Sequence, residues 1–211
     1  MSASFTDRHH AGRLLAAALA HHRGAANLVV LGLPRGGVPV AAEVASALGA
    51  PLDVVVVRKL GAPGHAELAV GAIATGGVRV LNDGVVRSLR VDDAALDEIE
   101  ERETRELLRR ESSYRGDRPP LDVAGLTVVL VDDGVATGAT MLVALRALRQ
   151  RGARRLIAAV PVGAPDSLER LRTAADEVVC LLKPPDLVSV GQWYDDFSQT
   201  TDAEVAALLK G

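Results

Sequence analysis

Aromatic residues are nearly missing from this chain: one Trp, two Tyr and two Phe make up 2% of its 211 residues. A core with so few rings has to be aliphatic, and each ring that does occur becomes informative. Cysteine is scarcer still. Cys180 stands alone, which excludes an internal disulfide, and its apolar neighbours make it an inert buried thiol rather than a nucleophile. That usage fits a reducing cytoplasm. An excess of one charge is lacking as well, with 24 Lys and Arg against 27 Asp and Glu for a net charge of −3. Nothing here has the electrostatic footprint of a nucleic-acid binder. No apolar run approaches the length of a membrane span. Leu14 to Ala20, preceded by Asp7 and Arg8 and followed by His21 and His22, reads as part of a surface helix rather than the core of a leader peptide. A soluble protein with neither nucleic acid nor membrane as partner is expected.

Hydrophobic residues nonetheless form 48% of the chain, chiefly Val, Ala and Leu, the mixture of parallel strands buried between helices. The length suits one domain over residues 1–211. Apolar spacing predicts a helix from Asp7 to about His22, a strand over Leu28–Leu33, a helix over Val38–Leu48 and a strand over Leu52–Val57. Arg58 and Lys59 close that strand, and Gly61, Pro63, Gly64 and His65 then read as a mobile arm with little to pack. Leu68–Thr75 and Val78–Leu81, flanking Gly76 and Gly77, read as a tight hairpin. A charged helix follows from about Asp92 to Arg115, with Leu96, Ile99, Leu107 and Leu108 as a thin apolar stripe and its charge as a solvated face.

Leu126–Val131 is the strongest buried strand. After it come a helix over Met141–Gln150, a strand over Arg155–Val160, a helix over Asp166–Thr173 and a strand over Glu177–Leu182. This alternation predicts an α/β fold, a mainly parallel twisted sheet flanked by helices in the Rossmann-like manner. From Pro184 the regularity lapses into a segment holding Trp193, Tyr194 and Phe197, before a closing helix near Thr201–Leu209.

The run Val128-Val129-Leu130-Val131-Asp132-Asp133-Gly134-Val135-Ala136-Thr137-Gly138-Ala139-Thr140 joins a buried strand, two adjacent carboxylates, a small-residue loop and a helix start. In open α/β sheets ligands bind beyond the carboxyl ends of the strands, where this strand delivers Asp132 and Asp133. Their acceptor oxygens suit vicinal sugar hydroxyls. Small side chains let successive backbone amides face a phosphate, the hydroxyls of Thr137 and Thr140 add donors, and the new helix offers its positive end. A phosphate is thus held without a lysine.

This run closely resembles the signature with which type I phosphoribosyltransferases bind phosphoribosyl pyrophosphate (PRPP). The resemblance implies that family's fold, with a core over about 28–182, a flexible lid over about 60–81 and a small C-terminal hood over about 183–200. It implies that Asp132 and Asp133 are the catalytic acids holding the ribose hydroxyls, and that Val135, Ala136, Thr137, Gly138, Ala139 and Thr140 cradle the 5-phosphate. Leu33-Pro34-Arg35-Gly36-Gly37-Val38 looks like the family's pyrophosphate loop, in which glycines permit close approach and Arg35 offers a forked cation. Arg58 and Lys59 either add charge beside the pyrophosphate or are simply solvated. In the hood, Trp193 either stacks on a flat base or packs in the core, and Lys183 is placed to address an oxo group, as in 6-oxopurine enzymes.

The reaction so implied moves the phosphoribosyl group of PRPP to a nitrogen nucleophile, a nucleobase being the expected acceptor, with release of pyrophosphate and a place in nucleotide metabolism and salvage. Mg²⁺ is the implied cofactor, held mainly through PRPP, so no certain protein ligand is assigned. The alternative is a PRPP-sensing regulator without efficient transfer. Members of the family are commonly dimers, so a homodimer is open here. His9 and His10, with His21 and His22, are set aside as metal ligands, because adjacent histidines point to different helix faces and no acid joins them at useful spacing.

Overall fold

The computed structural model of the chain describes residues 4–63 and 65–210; Gly64, part of the expected arm, lies outside them. Along the chain run α1 (Arg8–Ala18), a 3-10 turn (Ala20–His22), β1 (Leu28–Gly32), α2 (Gly37–Leu48), β2 (Leu52–Val54), β3 (Val57–Ala62), β4 (His65–Ala74) and β5 (Val78–Leu81). There follow α3 (Asp83–Leu89), α4 (Asp93–Arg115), β6 (Thr127–Val131), α5 (Ala139–Gln150), β7 (Arg155–Val162), α6 (Pro165–Leu171), β8 (Glu177–Leu182), a second 3-10 turn (Val190–Trp193) and α7 (Asp202–Leu208). Five strands pair in parallel in the order β2-β1-β6-β7-β8, and β3-β4-β5 form a separate antiparallel sheet.

The two-residue period of the strands builds the three layers. Val29, Leu31, Val128, Leu130, Leu156 and Ala158 join Met141, Leu145 and Leu148 of α5 and Leu168 and Leu171 of α6 in one buried cluster. The alternate residues Leu28, Val30, Val129, Val131, Ile157 and Ala159 join Leu15 and Leu19 of α1 and Val40 and Val44 of α2 in another. Because both faces are covered, the strands are continuous aliphatic runs rather than alternating ones. Burial also pushes the Cys180 thiol up to about 11, in keeping with an unreactive sulfur. Among the described residues no helix is long and apolar enough to cross a membrane.

Several expectations are corrected. The strand expected over Leu52–Val57 divides, because Val56 donates its N–H to Thr75 Oγ1 at 2.8 Å and accepts from the Thr75 N–H at 2.9 Å. The chain is thereby drawn out of the parallel sheet into the hairpin. Arg58 and Lys59 lie inside β3 as a result, not at the end of a strand of the main sheet. The arm expected after them is paired strand on both sides of the turn: Leu60, Ala62 and Val70 share a buried cluster with Leu96, Ile99 and Leu107 of α4. The apolar stripe of α4 also differs, since Leu108 is 57% exposed and Tyr114, 2% exposed, takes its place. α3 was not expected; none of its residues is buried, so it leaves no apolar period in the sequence.

The charge of α4 is not wholly a solvated face either. Arg115 is buried, and its Nε donates to Asp53 Oδ1 of β2 at 2.7 Å, its Nη2 to the Val54 carbonyl at 2.5 Å, while Glu111 Oε1 lies 3.3 Å from Nη1. Asp53 Oδ2 accepts from the Leu121 N–H at 3.0 Å. This network ties the end of α4 to the edge strand of the main sheet. Removing one partner of a buried pair strands the other charge, so Asp53→Ala is expected to destabilise the chain by about 3–5 kcal/mol in urea unfolding. Substitution within the exposed Arg105–Glu101 pair should leave the unfolding midpoint essentially unchanged.

Candidate functional site

Asp132 and Asp133 leave the carboxyl end of β6, the middle strand, where the neighbouring β1 releases the loop from Leu33 to Gly37. The two segments touch. A Cβ on Gly36 would lie 2.0 Å from Asp133 Oδ2, and one on Gly37 would lie 2.7 Å from the Val131 carbonyl oxygen. Only glycine permits this approach, and so the expected pyrophosphate loop is seated against the acid pair. The Pro34–Arg35 peptide is cis.

The two carboxylates have different surroundings. Asp133 Oδ2 accepts from Arg8 Nε at 2.9 Å, and the Asp133 carbonyl accepts from the Tyr194 hydroxyl at 2.5 Å. Arg8 is itself fixed, its guanidinium 3.9 Å from the centre of the Phe197 ring and donating to the Ser198 carbonyl at 2.7 Å. Asp132 has no such cation; its Oδ1 accepts the Asp133 N–H at 2.9 Å, and it lines a cavity of about 200 Å³. Burial pushes Asp132 well above the usual carboxylate range, and the neighbouring Asp133 charge adds to the rise. Burial raises Asp133 too, against the opposing pull of Arg8. Burial also pushes the Tyr194 phenol upward, so it remains a donor.

The rest of that cavity is Gly134, Val135, Ala136, Thr137, Gly138, Ala139, Thr140 and Met141, with Val190 of the C-terminal segment above. Every residue expected to cradle a phosphate therefore lines one space with Asp132. The loop is held from behind: the Val135 carbonyl accepts from the Ala164 N–H at 2.9 Å, that of Ala136 from the Ser167 hydroxyl at 2.6 Å, and that of Thr137 from Arg170 Nη2 at 2.9 Å. With three carbonyls turned toward α6, no acceptor among the described residues is paired with the amides of Ala136 through Thr140. Gly138, at a φ of 73°, caps α5 in the left-handed region and lets its first turn face the same space.

Other expected site residues lie apart. Arg35 turns toward Asp202 at the start of α7, with Nη1 3.8 Å from Oδ1. Arg58 is engaged by Glu103 of α4, Nη2 to Oε2 at 2.6 Å, and Lys59 is exposed on the hairpin. Trp193 is half-buried beside a cluster of Phe5, Ala11, Val162 and Tyr194, and its carbonyl accepts from the Phe5 N–H at 2.8 Å. Lys183 is exposed, and neither it nor Trp193 lines the cavity. Sequence reasoning missed Arg8, Tyr194, Ser167 and Arg170. The scarcity of rings signalled Tyr194; nothing near Arg8 signals a partner 125 residues away.

A sequence profile described as the phosphoribosyl transferase domain matches residues 5–194. A Mycobacterium tuberculosis protein provisionally named phosphoribosyl transferase is 53% identical over 205 residues, covering 97% of this chain and 46% of that protein, so the chain spans less than half the length of that relative. The crystal structure of a Thermus thermophilus protein superposes with a TM-score of 0.86 at 50% identity, covering 98% of this chain and 97% of that one. A uracil phosphoribosyltransferase of Kineococcus radiotolerans is 42% identical over 60 residues, 28% of each chain.

The partly buried acid pair has a consequence for stability. A carboxylate whose folded pKa is raised favours the folded state below its unfolded value, near 3.8, and loses that contribution as pH climbs through the folded value. Asp132→Asn is therefore expected to raise the melting temperature at pH 7.5, with the gain shrinking toward pH 4, as followed by circular dichroism.

Proposed function

Because the chain belongs to the phosphoribosyl transferase domain family, we propose that it transfers the 5-phosphoribosyl group of PRPP to a nitrogen nucleophile, with release of pyrophosphate. The observation that carries this reading is the loop from Val135 to Thr140, which lines one cavity with Asp132: its first three carbonyls are tied back, and the amides of Ala136 through Thr140 are paired with no acceptor among the described residues. Such a nest with a helix start behind it is an anion site that needs no cationic side chain. The 5-phosphate occupies it. Asp132, and Asp133 through the oxygen that Arg8 leaves free, accept hydrogen bonds from the two ribose hydroxyls.

With both ends of the ribose phosphate fixed, C1 is presented beneath the Gly36–Gly37 loop, whose backbone and Arg35 side chain receive the pyrophosphate. The bond from C1 to pyrophosphate breaks with oxocarbenium character while the bond to nitrogen forms, and the charge left on the diphosphate is what the site has to stabilise. Asp132, a hard oxygen donor with no cation beside it, fits a Mg²⁺ ion that is otherwise held by water and substrate phosphates. When bound, such an ion neutralises the diphosphate as it departs. Arg35 reaches this work by releasing Asp202, a long and half-exposed contact that is weak enough to exchange. A nucleobase is the acceptor class that we infer.

A screen of nucleobases and amines for PRPP-dependent pyrophosphate release with Mg²⁺ present tests the reaction. At least one acceptor should be turned over, and the double variant Asp132→Asn, Asp133→Asn should be inactive while remaining folded; full turnover by that variant would refute the assigned roles. Arg170→Ala releases the Thr137 carbonyl without touching substrate. It is expected to raise KM for PRPP about tenfold, the worth of a hydrogen bond from a charged donor, with a smaller change in kcat.

A further inference from the structure

The transfer reaction uses the first residues of α1, and a second cluster forms where that helix ends. After Ala18 the chain tightens into the 3-10 turn Ala20–His22. Neighbouring side chains diverge on an α-helix, but in this turn the His21 and His22 rings lie with centroids 4.0 Å apart. Glu177, the first residue of β8, meets both: His21 Nε2 is 3.3 Å from Oε1 and His22 Nε2 is 3.3 Å from Oε2. The side chain of His22 is 13% exposed, and its Nε2 is buried without a hydrogen-bond partner. The acid missing from the sequence around these histidines thus comes from a strand more than 150 residues away.

We propose that His21, His22 and Glu177 form a binding site for a divalent transition cation of the zinc class. The three ligand atoms all lie within 4.8 Å of one another. A tetrahedral ion with bonds of about 2.0–2.1 Å holds its ligand atoms about 3.3 Å apart; His21 Nε2 and His22 Nε2 each stand 3.3 Å from a different oxygen of the Glu177 carboxylate, so a turn of that group brings one oxygen to both. Two imidazoles and one carboxylate favour Zn²⁺, Ni²⁺ or Cu²⁺ over Mg²⁺, which prefers oxygen alone. The site is therefore chemically distinct from one served by PRPP phosphates. It also gives the buried Nε2 of His22, which lies 3.3 Å from Glu177 without forming a hydrogen bond, a ligand bond that offsets its desolvation. Arg155 Nη2, 2.9 Å from Glu177 Oε2, is the competing cation. Its side chain is half-exposed and can turn to solvent, leaving the carboxylate to the metal. Bound metal clips the end of α1 to the start of β8, adding to the aliphatic cluster that holds Leu15 and Leu19 with Val179 and Leu181 packed against it.

The test is calorimetric titration of ZnCl₂ into the full chain, free of any histidine tag and of PRPP, with melting temperature followed in parallel. One equivalent should bind and raise the melting temperature, and a large excess of Mg²⁺ should not displace it. Loss of an outer-sphere partner already weakens metal sites by roughly 10- to 100-fold, so His22→Ala and the near-isosteric Glu177→Gln should each weaken binding at least about tenfold. Circular dichroism without metal checks that both variants fold. Absence of one-to-one binding by the native chain, affinity unchanged in both variants, as for metal held by His9 and His10, or displacement by Mg²⁺ would each overturn the site.

Discussion

Two adjacent, partly buried carboxylates at the end of a buried strand are the constraint around which this molecule is arranged. Like charges in such a place repel and are poorly solvated, so each must be held at its usable ionisation by something specific. For Asp133 that is Arg8, brought from the first turn of α1 and braced against Phe197 and the Ser198 carbonyl. For Asp132 it is little more than one backbone N–H, so burial and the Asp133 charge disfavour its ionised form, which a cation or donor from a ligand would restore. Gly36, Gly37 and Gly134 are glycines for the same reason: a Cβ on any of them would collide with the pair, with its strand or with Val190.

The stability that tolerates such a pair lies in the sheet beneath it. Val128 to Val131 send alternate side chains to the two helical layers, and all four are fully buried. Burying aliphatic area contributes about 25 cal/mol per Å², spread over every strand, so a local electrostatic penalty at one strand end is offset without any special device. Rigid strands also fix where the carboxylates stand, which a loop would not do as well. The same logic places Ser167 and Arg170 behind the loop from Val135 to Thr140. A loop of small residues has few side chains with which to hold itself, so α6 holds it by its carbonyls.

The parallel sheet and the run from Asp132 to Thr140 were legible because both are local. A continuous aliphatic stretch bounded by turn residues is a buried strand on almost any reading, and the signature follows it without a gap. What was illegible depends on contacts between distant segments. The sequence gives Arg58 and Lys59 a strand-end position; the side chain of Thr75 takes Val56 away from β2 and moves both into a second sheet. Arg115 looks like one more charge on a charged helix until Asp53 of β2 is seen beside it. The sequence left Trp193 either as a surface for a base or as a packed ring; it is half-buried against the same aromatic cluster that seats Tyr194.

That cluster shows how the two ends of the chain come to share one task. Phe5 bridges to Tyr194, its N–H donates to the Trp193 carbonyl, and the Asp195 and Asp196 N–H groups donate to the carbonyls of Phe5 and Thr6. The N-terminal segment is thereby laid along the C-terminal one, which sets where α1 begins and so where Arg8 points. Four of the five rings in the protein, Phe5, Trp193, Tyr194 and Phe197, gather at this join. A chain that builds its core from Val, Ala and Leu has no need of large rings for bulk. It places them where two irregular segments must be fixed against each other and a cation held in position, a task that flat, stiff side chains perform at low entropic cost. The scarcity of aromatics and the placing of Arg8 beside Asp133 are thus two sides of one design: aliphatic residues fill the layers, and the few rings set the geometry of the site.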